Sequence, residues 1–355
     1  MLAAISAARR SIELEIYIYA ADEIGRQFLD ALTQAAKRGV QVRVLADAYG
    51  SFMLSRSFFD PLISAGGEIR FFNPLRFSRF GVRYHRKLLI CDRQTTFLGG
   101  ANICDCHQGD GITQGWFDLM VKMEYAKLAA LLADEFEQTF ANAAFAQGRF
   151  RRLRAFRRFR RRTEETQIFA VHPGRGAGSF QRALHQGLAR AHSADFIVPY
   201  FLPSRKLRKL LRQIVKRGGR VRLILPAQCD VPLARAAGLI YYARLLRAGV
   251  EIYEYQPQIL HAKLYRVDEN IFAGSSNLDV RSFKLNYELM LRFTEAAVVA
   301  GAKEVFSEAL KHSRRIELKA FRRSQNFLAR WKNYWAHFLV ARIDPLVALR
   351  QIEPH

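Results

Sequence analysis

The sequence predicts an α/β protein made of two duplicated α/β/α sandwich units, related by pseudo-twofold symmetry, with one active site between them. Three observations carry this. Four segments recur in the same order in the two halves, each recurrence alternates helix-like and strand-like runs, and one motif of His, Lys and Asp appears once per half at a matching place.

The first matched pair is KRGVQVRVLAD from Lys37 and KRGGRVRLILP from Lys216. In each, a helix ends at a glycine (Gly39, Gly218) and a Val/Leu-rich strand follows. SAGGEIRFFNP from Ser64 then matches RAGVEIYEYQP from Arg247. YHRKLLICD from Tyr84 matches LHAKLYRVD from Leu260, and TFLGGANIC from Thr96 matches IFAGSSNLD from Ile271. The shared order of helix, strand, helix, strand, strand, strand calls for sheets covered by helices.

These matches set the domain plan. A first half covers 1–148, a basic linker 149–166, a second half 167–312 and a basic amphipathic tail 313–355. The second half opens on the strand-like run QIFAVHPG from Gln167, ahead of a helix at Ala183–Ala191. Met1 already lies in the equivalent helix of the first half, so the repeat predicts a missing upstream strand and a true start before Met1.

Composition narrows the partners. The chain has 355 residues, 50% of them hydrophobic, enough for a sizeable core. Its formal charge of +24 favours polyanions, with nucleic acid and anionic lipid surfaces as the two obvious classes. The linker run RFRRLRAFRRFRRR interleaves Arg with Phe150, Leu153, Phe156 and Phe159. It reads as a solvated basic segment, as an anchor on anionic headgroups, or as a nucleic-acid contact. In the tail, Phe327, Trp331, Trp335 and Phe338 recur at three- and four-residue spacing. Such a helical stripe either packs on the core or lies at a membrane interface.

No signal-peptide pattern is present, and no apolar run reaches the ~20 residues of a spanning helix. The four cysteines, Cys91, Cys104, Cys106 and Cys229, show no disulfide framework, which points to a reducing, cytoplasmic compartment. Cys104, Cys106 and His107 lie close together, but no second ligand pair follows at zinc-site spacing, so no metal is expected.

The chemistry sits in the third matched segment. His85, Lys87 and Asp92 in one half, and His261, Lys263 and Asp268 in the other, both read H-x-K-x-x-x-x-D. Chance predicts roughly 0.01 such matches per chain. His and Lys two apart on a strand share a face, with Arg86 or Ala262 on the other. If the halves meet around a twofold axis, two imidazoles and two ammonium groups converge. One His can then attack a phosphorus atom while the other moves protons, and the lysines neutralise the phosphate oxygens. Neither metal nor cofactor is called for. Gly99, Gly100 and Asn102 follow the first motif, and Gly274, Ser275 and Asn277 the second, where small and amide side chains admit and hold a phosphate. Asp118 and Glu288 lie further on in parallel positions, placed to orient the histidines. Asp92 and Asp268, seven residues past their His, belong to the motif but are expected at the far strand end as turn residues.

These residues resemble the paired motifs of the phospholipase D superfamily, over nearly the whole chain from Glu15 to about Phe293. Within it the chain is similar to bacterial cardiolipin synthases, on YIYAAD at Tyr17, RGVQVRVLADAYGS at Arg38, YHRKLLICD, FLGGAN, Trp116 with Asp118, and GSSNLDVRSFKLNYE from Gly274. The resemblance implies phospholipase D-like sandwich units and a ping-pong transfer at the cytoplasmic side of a bacterial membrane. His85 would take the phosphatidyl group of one phosphatidylglycerol, and a second phosphatidylglycerol would resolve the phosphohistidine to cardiolipin. Lys87, Lys263, Asn102, Asn277 and Ser275 would hold the phosphate, and Asp118 and Glu288 would orient the histidines. The alternatives are a hydrolase or other transphosphatidylase, a nuclease or phosphodiesterase of the same superfamily, and a non-catalytic lipid- or nucleic-acid-binding protein.

Overall fold

The computed structural model describes residues 1–73, 81–143, 166–173 and 178–344. The Arg-rich linker, apart from Thr166, lies outside the described residues, as does the tail beyond 344.

The first unit runs α1 (Leu2–Ala7), β1 (Ser11–Ile16), α2 (Glu23–Lys37), β2 (Gln41–Asp47), α3 (Asp60–Ser64), β3 (Glu68–Phe72), β4 (Leu88–Cys91), β5 (Thr95–Gly99), β6 (Met120–Glu124) and α4 (Ala126–Ala141). Helix α2 shows why the sequence was readable. The Asp22 carboxylate caps it by accepting from the Gly25 N–H at 2.9 Å. Phe28, Leu29, Leu32, Ala35 and Ala36 form its buried face. The helix stops at Gly39, whose φ of 86° suits glycine. The sheet order is β3-β2-β1-β4-β5-β6, with the first three strands parallel and the rest antiparallel.

The second unit repeats this plan: β7 (Thr166–Val171), α5 (Ser179–Arg190), β8 (Ser193–Ile197), α6 (Arg205–Lys216), β9 (Arg220–Pro226), α7 (Pro232–Leu239), α8 (Tyr242–Arg247), β10 (Glu251–Tyr255), β11 (Leu264–Val267), β12 (Asn270–Gly274), α9 (Val280–Lys284), β13 (Glu288–Phe293) and α10 (Ala296–Lys311). The tail adds β14 (Ser313–Arg315), α11 (Leu318–Ser324) and α12 (Phe327–Phe338). This sheet has the order β14-β10-β9-β8-β11-β12-β13-β7. Its inner six strands match the six of the first unit. The extra strand read at Gln167 is β7, paired along β13. At the opposite edge β14 pairs with β10, so the tail's first residues extend the second sheet rather than starting a separate segment at 313.

Alternation along the strands decides which core each side chain enters. In β4, Leu89 and Cys91 pack with the helices of their own unit, while Leu88 and Ile90 enter a cluster shared by the two units. In β11, Tyr265 and Val267 pack inward and Leu264 faces the shared cluster. That cluster also takes Leu128 and Leu132 of α4 and Phe306 of α10. It fixes the two units against each other.

The motif aspartates hold this framework. The Asp92 carboxylate accepts from the backbone N–H of Arg9, Arg10 (2.7 Å) and Ser11 (3.0 Å) as the chain enters β1. Asp268 does the same for His192 (3.0 Å) and Ser193 (2.8 Å) at the start of β8. Both have positive φ, 55° and 50°, which Asp tolerates better than most residues. They are clamps on β1 and β8, and grouping them with the catalytic residues is corrected accordingly. Asp92→Asn is expected to destabilise the protein by about 1–3 kcal/mol, since it weakens charge-assisted bonds to three amides. Turnover per folded molecule should stay near normal; urea unfolding beside an activity assay checks both.

Helix α12 departs from the core-packing alternative. Its aromatic stripe faces out, with Phe327 80%, Trp331 58% and Trp335 44% exposed. The buried side carries Asn333 and Ala336 instead, and the small Ala336 joins the second unit's core. Among the described residues, no helix is long and apolar enough to cross a membrane.

Candidate active site

The two His-x-Lys segments lie in extended chain just ahead of β4 and β11, not inside those strands as the sequence implied. The alternation survives. Arg86 turns away from His85 and Lys87 to meet Glu135 at 2.9 Å, fully buried. Ala262 turns into the shared apolar cluster.

Each segment is bonded to the other unit. His85 N–H donates to the Tyr287 carbonyl at 2.9 Å, and Tyr287 N–H returns to the Arg83 carbonyl at 2.9 Å. In the second unit His261 N–H donates to the Phe117 carbonyl at 2.8 Å, and Phe117 N–H to the Ile259 carbonyl at 2.9 Å. The residue after each bridging aromatic is a carboxylate, Glu288 or Asp118. Each histidine therefore meets the other unit's acid: His85 Nδ1 lies 3.0 Å from Glu288 Oε2, and His261 Nδ1 lies 2.6 Å from Asp118 Oδ2. With Nδ1–H donating, each Nε2 keeps its lone pair.

The two pairs differ electrically. Burial, with help from Lys87 and Lys263, holds His85 well below the usual histidine range. Burial and then Lys263 push His261 down to about 3. Burial works against ionising Asp118, yet His261, Lys263 and the donors around it outweigh this and keep it well below the carboxylate range. Glu288 goes the other way: burial raises it to about 7, against the opposing pull of Lys87 and Ser275.

Lys87 and Lys263 are both buried, and neither is within ion-pair distance of a carboxylate among the described residues. Lys87 Nζ donates to the His85 carbonyl at 2.9 Å and lies 5.0 Å from the Tyr17 ring centre. Lys263 Nζ donates to the His261 carbonyl at 2.5 Å. Burial, then repulsion from Lys263, holds Lys87 well below the usual amine range. Two like charges kept from water in this way form a ready anion site.

The supporting residues divide. Ser275 donates to Glu288 Oε2 at 2.5 Å. At the matching position, a side chain on Gly100 would collide with Asp118, which explains why a glycine answers a serine there. Gly99 and Gly274 likewise lie hard against the Leu119 and Leu289 carbonyls. Asn102 Oδ1 accepts from the Ile18 N–H at 3.2 Å, bracing the chain next to Tyr17. The carboxamide oxygen of Asn277 is buried with no hydrogen-bond partner. Tyr17 packs edge-on to His85 with centroids 4.9 Å apart.

One residue of the site escaped the sequence reading. His107 Nδ1 lies 3.2 Å from Asp118 Oδ2, and its ring packs on His261 with centroids 5.1 Å apart. Trp116 closes the same cluster, 5.4 Å from His261. Asp118 is thus hydrogen-bonded to one imidazole and within ion-pair distance of a second. The only sequence cue was proximity to Cys104 and Cys106, which pointed to metal binding. Those cysteines are instead bonded to each other, with Cα atoms 5.4 Å apart, correcting the expectation of free thiols. A pair separated by one residue closes a tight local loop and leaves no trace in a framework of long spacings. By distance, Cys104, Cys106 and His107, or His107, Asp118 and His261, could hold a metal ion. The first group has its sulfurs joined, and in the second Asp118 is already engaged by the rings.

The family described as "Cardiolipin synthase, PLD-like domain" matches residues 1–140 and 184–310. Cardiolipin synthase 1 of Bacillus cereus is 34% identical over 337 residues, covering 91% of this chain and 66% of that protein. The major cardiolipin synthase ClsA of Bacillus subtilis strain 168 is 32% identical over 329 residues, covering 90% of this chain and 68% of its own. The chain thus spans about two thirds of the length of these relatives. The solved phosphatidylserine synthase of Haemophilus influenzae Rd KW20 superposes with a TM-score of 0.75 at 15% identity, over 99% of this chain and 92% of that one. That likeness establishes the fold. The family match runs through both units and both histidine segments: this chain belongs to the cardiolipin synthase, phospholipase D-like family.

Proposed function

We propose that the protein is a phosphatidyltransferase that converts two phosphatidylglycerols to cardiolipin and glycerol through a phosphohistidine. The observation that carries this is the pair of buried lysines, without carboxylate partners among the described residues, each beside a histidine whose acid comes from the opposite unit. The 30–34% identical relatives are named cardiolipin synthases, which supports cardiolipin as the product.

His85 Nε2 attacks the phosphorus of the first lipid, and the P–O bond to its glycerol headgroup breaks. His261 gives the departing oxygen its proton. A glycerol hydroxyl of the second lipid then loses its proton to His261 and attacks phosphorus, and the P–N bond to His85 breaks. The unequal acids support this division. Ionised Asp118 stabilises a cation at His261, the ring that carries the proton. By themselves burial and Lys263 outweigh Asp118 and keep that ring neutral; a phosphodiester anion beside Lys263 offsets them and raises its proton affinity. Glu288, titrating near neutrality, gives His85 less support as a cation, which leaves it a nucleophile.

The test is incubation of the protein with phosphatidylglycerol vesicles, followed by mass spectrometry of the lipids, with single-stranded DNA in a parallel tube. Cardiolipin plus glycerol is expected. Phosphatidic acid alone would show a hydrolase, and DNA cleavage without lipid turnover would show a nuclease.

A pH profile follows from Glu288. Below pH 7 it is protonated and no longer strengthens His85, so turnover should fall as pH drops through about 7. Folding stability should respond in the opposite sense. A carboxyl raised from 4.5 to about 7 favours the fold below pH 4.5, and that contribution is lost as pH rises through 7. Glu288→Gln should remove the acid limb of the rate profile; an unchanged limb would assign it to another group.

A further inference from the structure

Away from the histidines, a cavity of about 350 Å³ opens between α6 and α8. Arg205, Arg208, Lys209, Arg212 and Arg244 line it, with Tyr241 at its wall. None of the five cations has an ion-pair partner among the described residues. Arg208 Nε is buried without a hydrogen-bond partner, and its guanidinium lies 4.5 Å from the Tyr241 ring centre. Burial, with Arg244, Arg212 and Arg205 nearby, works against its charge despite Tyr241. Concentrated positive charge around a concave space calls for an anion that none of the described residues supplies.

What lies next to the cavity names the anion's source. Tyr241 is also in ring contact with His337 of α12, with centroids 5.4 Å apart. The cavity wall therefore continues into the helix whose Phe327, Trp331, Tyr334 and Trp335 face outward. Beyond α12, Asp344 pairs with Arg281 at 2.7 Å, and Arg281 donates to the Gly81 carbonyl at 2.5 Å, four residues before His85. So the aromatic helix links the cavity to the chain that enters the active site. Exposed apolar residues also lie after β2 and β9, Phe52 and Met53 on the loop of one unit, and Val231 and Leu233 at the start of α7 in the other. Asp47 ties the loop after β2 to the site by accepting from both Gly50 and Tyr84 N–H.

We infer that this face docks on an anionic bilayer, with the aromatic side of α12 in the headgroup layer and a lipid phosphate in the α6–α8 cavity. Trp and Tyr with nearby Arg are the side chains that settle at that depth. A free phosphate would use the cations but leave the aromatic helix without a role, and an oligonucleotide is tested as a competitor below. The inference concerns a second phosphate site, apart from the histidines, and its test does not depend on turnover.

The experiment is flotation of the full chain carrying His85→Ala, so that the lipids stay unchanged. The vesicles are equimolar phosphatidylglycerol and phosphatidylcholine, or phosphatidylcholine alone. The parent should float with the anionic vesicles only. Arg208→Gln with Arg212→Gln and Arg244→Gln should weaken binding about 10- to 100-fold. Trp331→Ala with Trp335→Ala should weaken it about 10-fold. Lys37→Gln with Lys122→Gln and Lys127→Gln removes the same charge from exposed sites on the first unit and should bind like the parent. Thermal melts confirm that each variant is folded. Equal loss in that control would reduce the effect to net charge and overturn the cavity. Parent-like flotation of the arginine or tryptophan variant would overturn it as well. So would saturation of the cavity by inorganic phosphate or an oligonucleotide without effect on flotation.

Discussion

Alanine at His85 or His261 should lower turnover of phosphatidylglycerol by at least about four orders of magnitude, because each ring performs a step that nothing nearby can take over. Both histidines are buried and fixed by a carboxylate and an aromatic neighbour, so the substitutions remove a nucleophile or a proton carrier with little other change. The two variants should differ in one respect. With a substrate whose leaving group needs no proton, His261→Ala should still form the phosphohistidine and accumulate it, since its resolution lacks a base. His85→Ala should form none. Labelled substrate and mass analysis of peptides containing residue 85 or 261 read this directly. Label on residue 261 in the His85 variant would exchange the two roles. Substantial turnover in either variant would remove the two-histidine scheme.

Asp118→Asn should cost about three orders of magnitude in kcat with a smaller change in KM. The amide is nearly the same shape, but it takes away the negative charge that supports His261 as a cation and no longer fixes the tautomer. Two rings lie beside that one carboxylate, His261 hydrogen-bonded at 2.6 Å and His107 at 3.2 Å. His107→Gln should therefore act more mildly, about tenfold in kcat, through the orientation of Asp118. If Asp118→Asn changed KM alone, the carboxylate would belong to substrate binding rather than to proton transfer.

Much of this was legible in the residues. The repeat gave two units and four of the six strands that match between them. The motif supplied both His–Lys pairs, and parallel position singled out Asp118 and Glu288. What a linear reading could not reach was the exchange between units. The His85–Glu288 and His261–Asp118 contacts span 203 and 143 residues, and periodicity carries no information at that range. His107 was missed for a similar reason: its link to the site runs through Asp118 and Trp116, eleven and nine residues further on, around a loop closed by Cys104 and Cys106. The stripe of α12 was visible, but its direction was not. Aromatics at helical spacing look alike whether the small face or the large face is buried, and here Ala336 makes the contact.

The backbone bridges at Tyr84–Tyr287 and Phe117–Leu260 have a consequence for how the protein comes into being. During synthesis the first unit emerges with His85 but without Glu288, and with Asp118 but without His261. Neither imidazole has its acid until the second unit has folded and docked. Assembly of both His–carboxylate pairs is thus a late property of the polypeptide, reached only when both units are present.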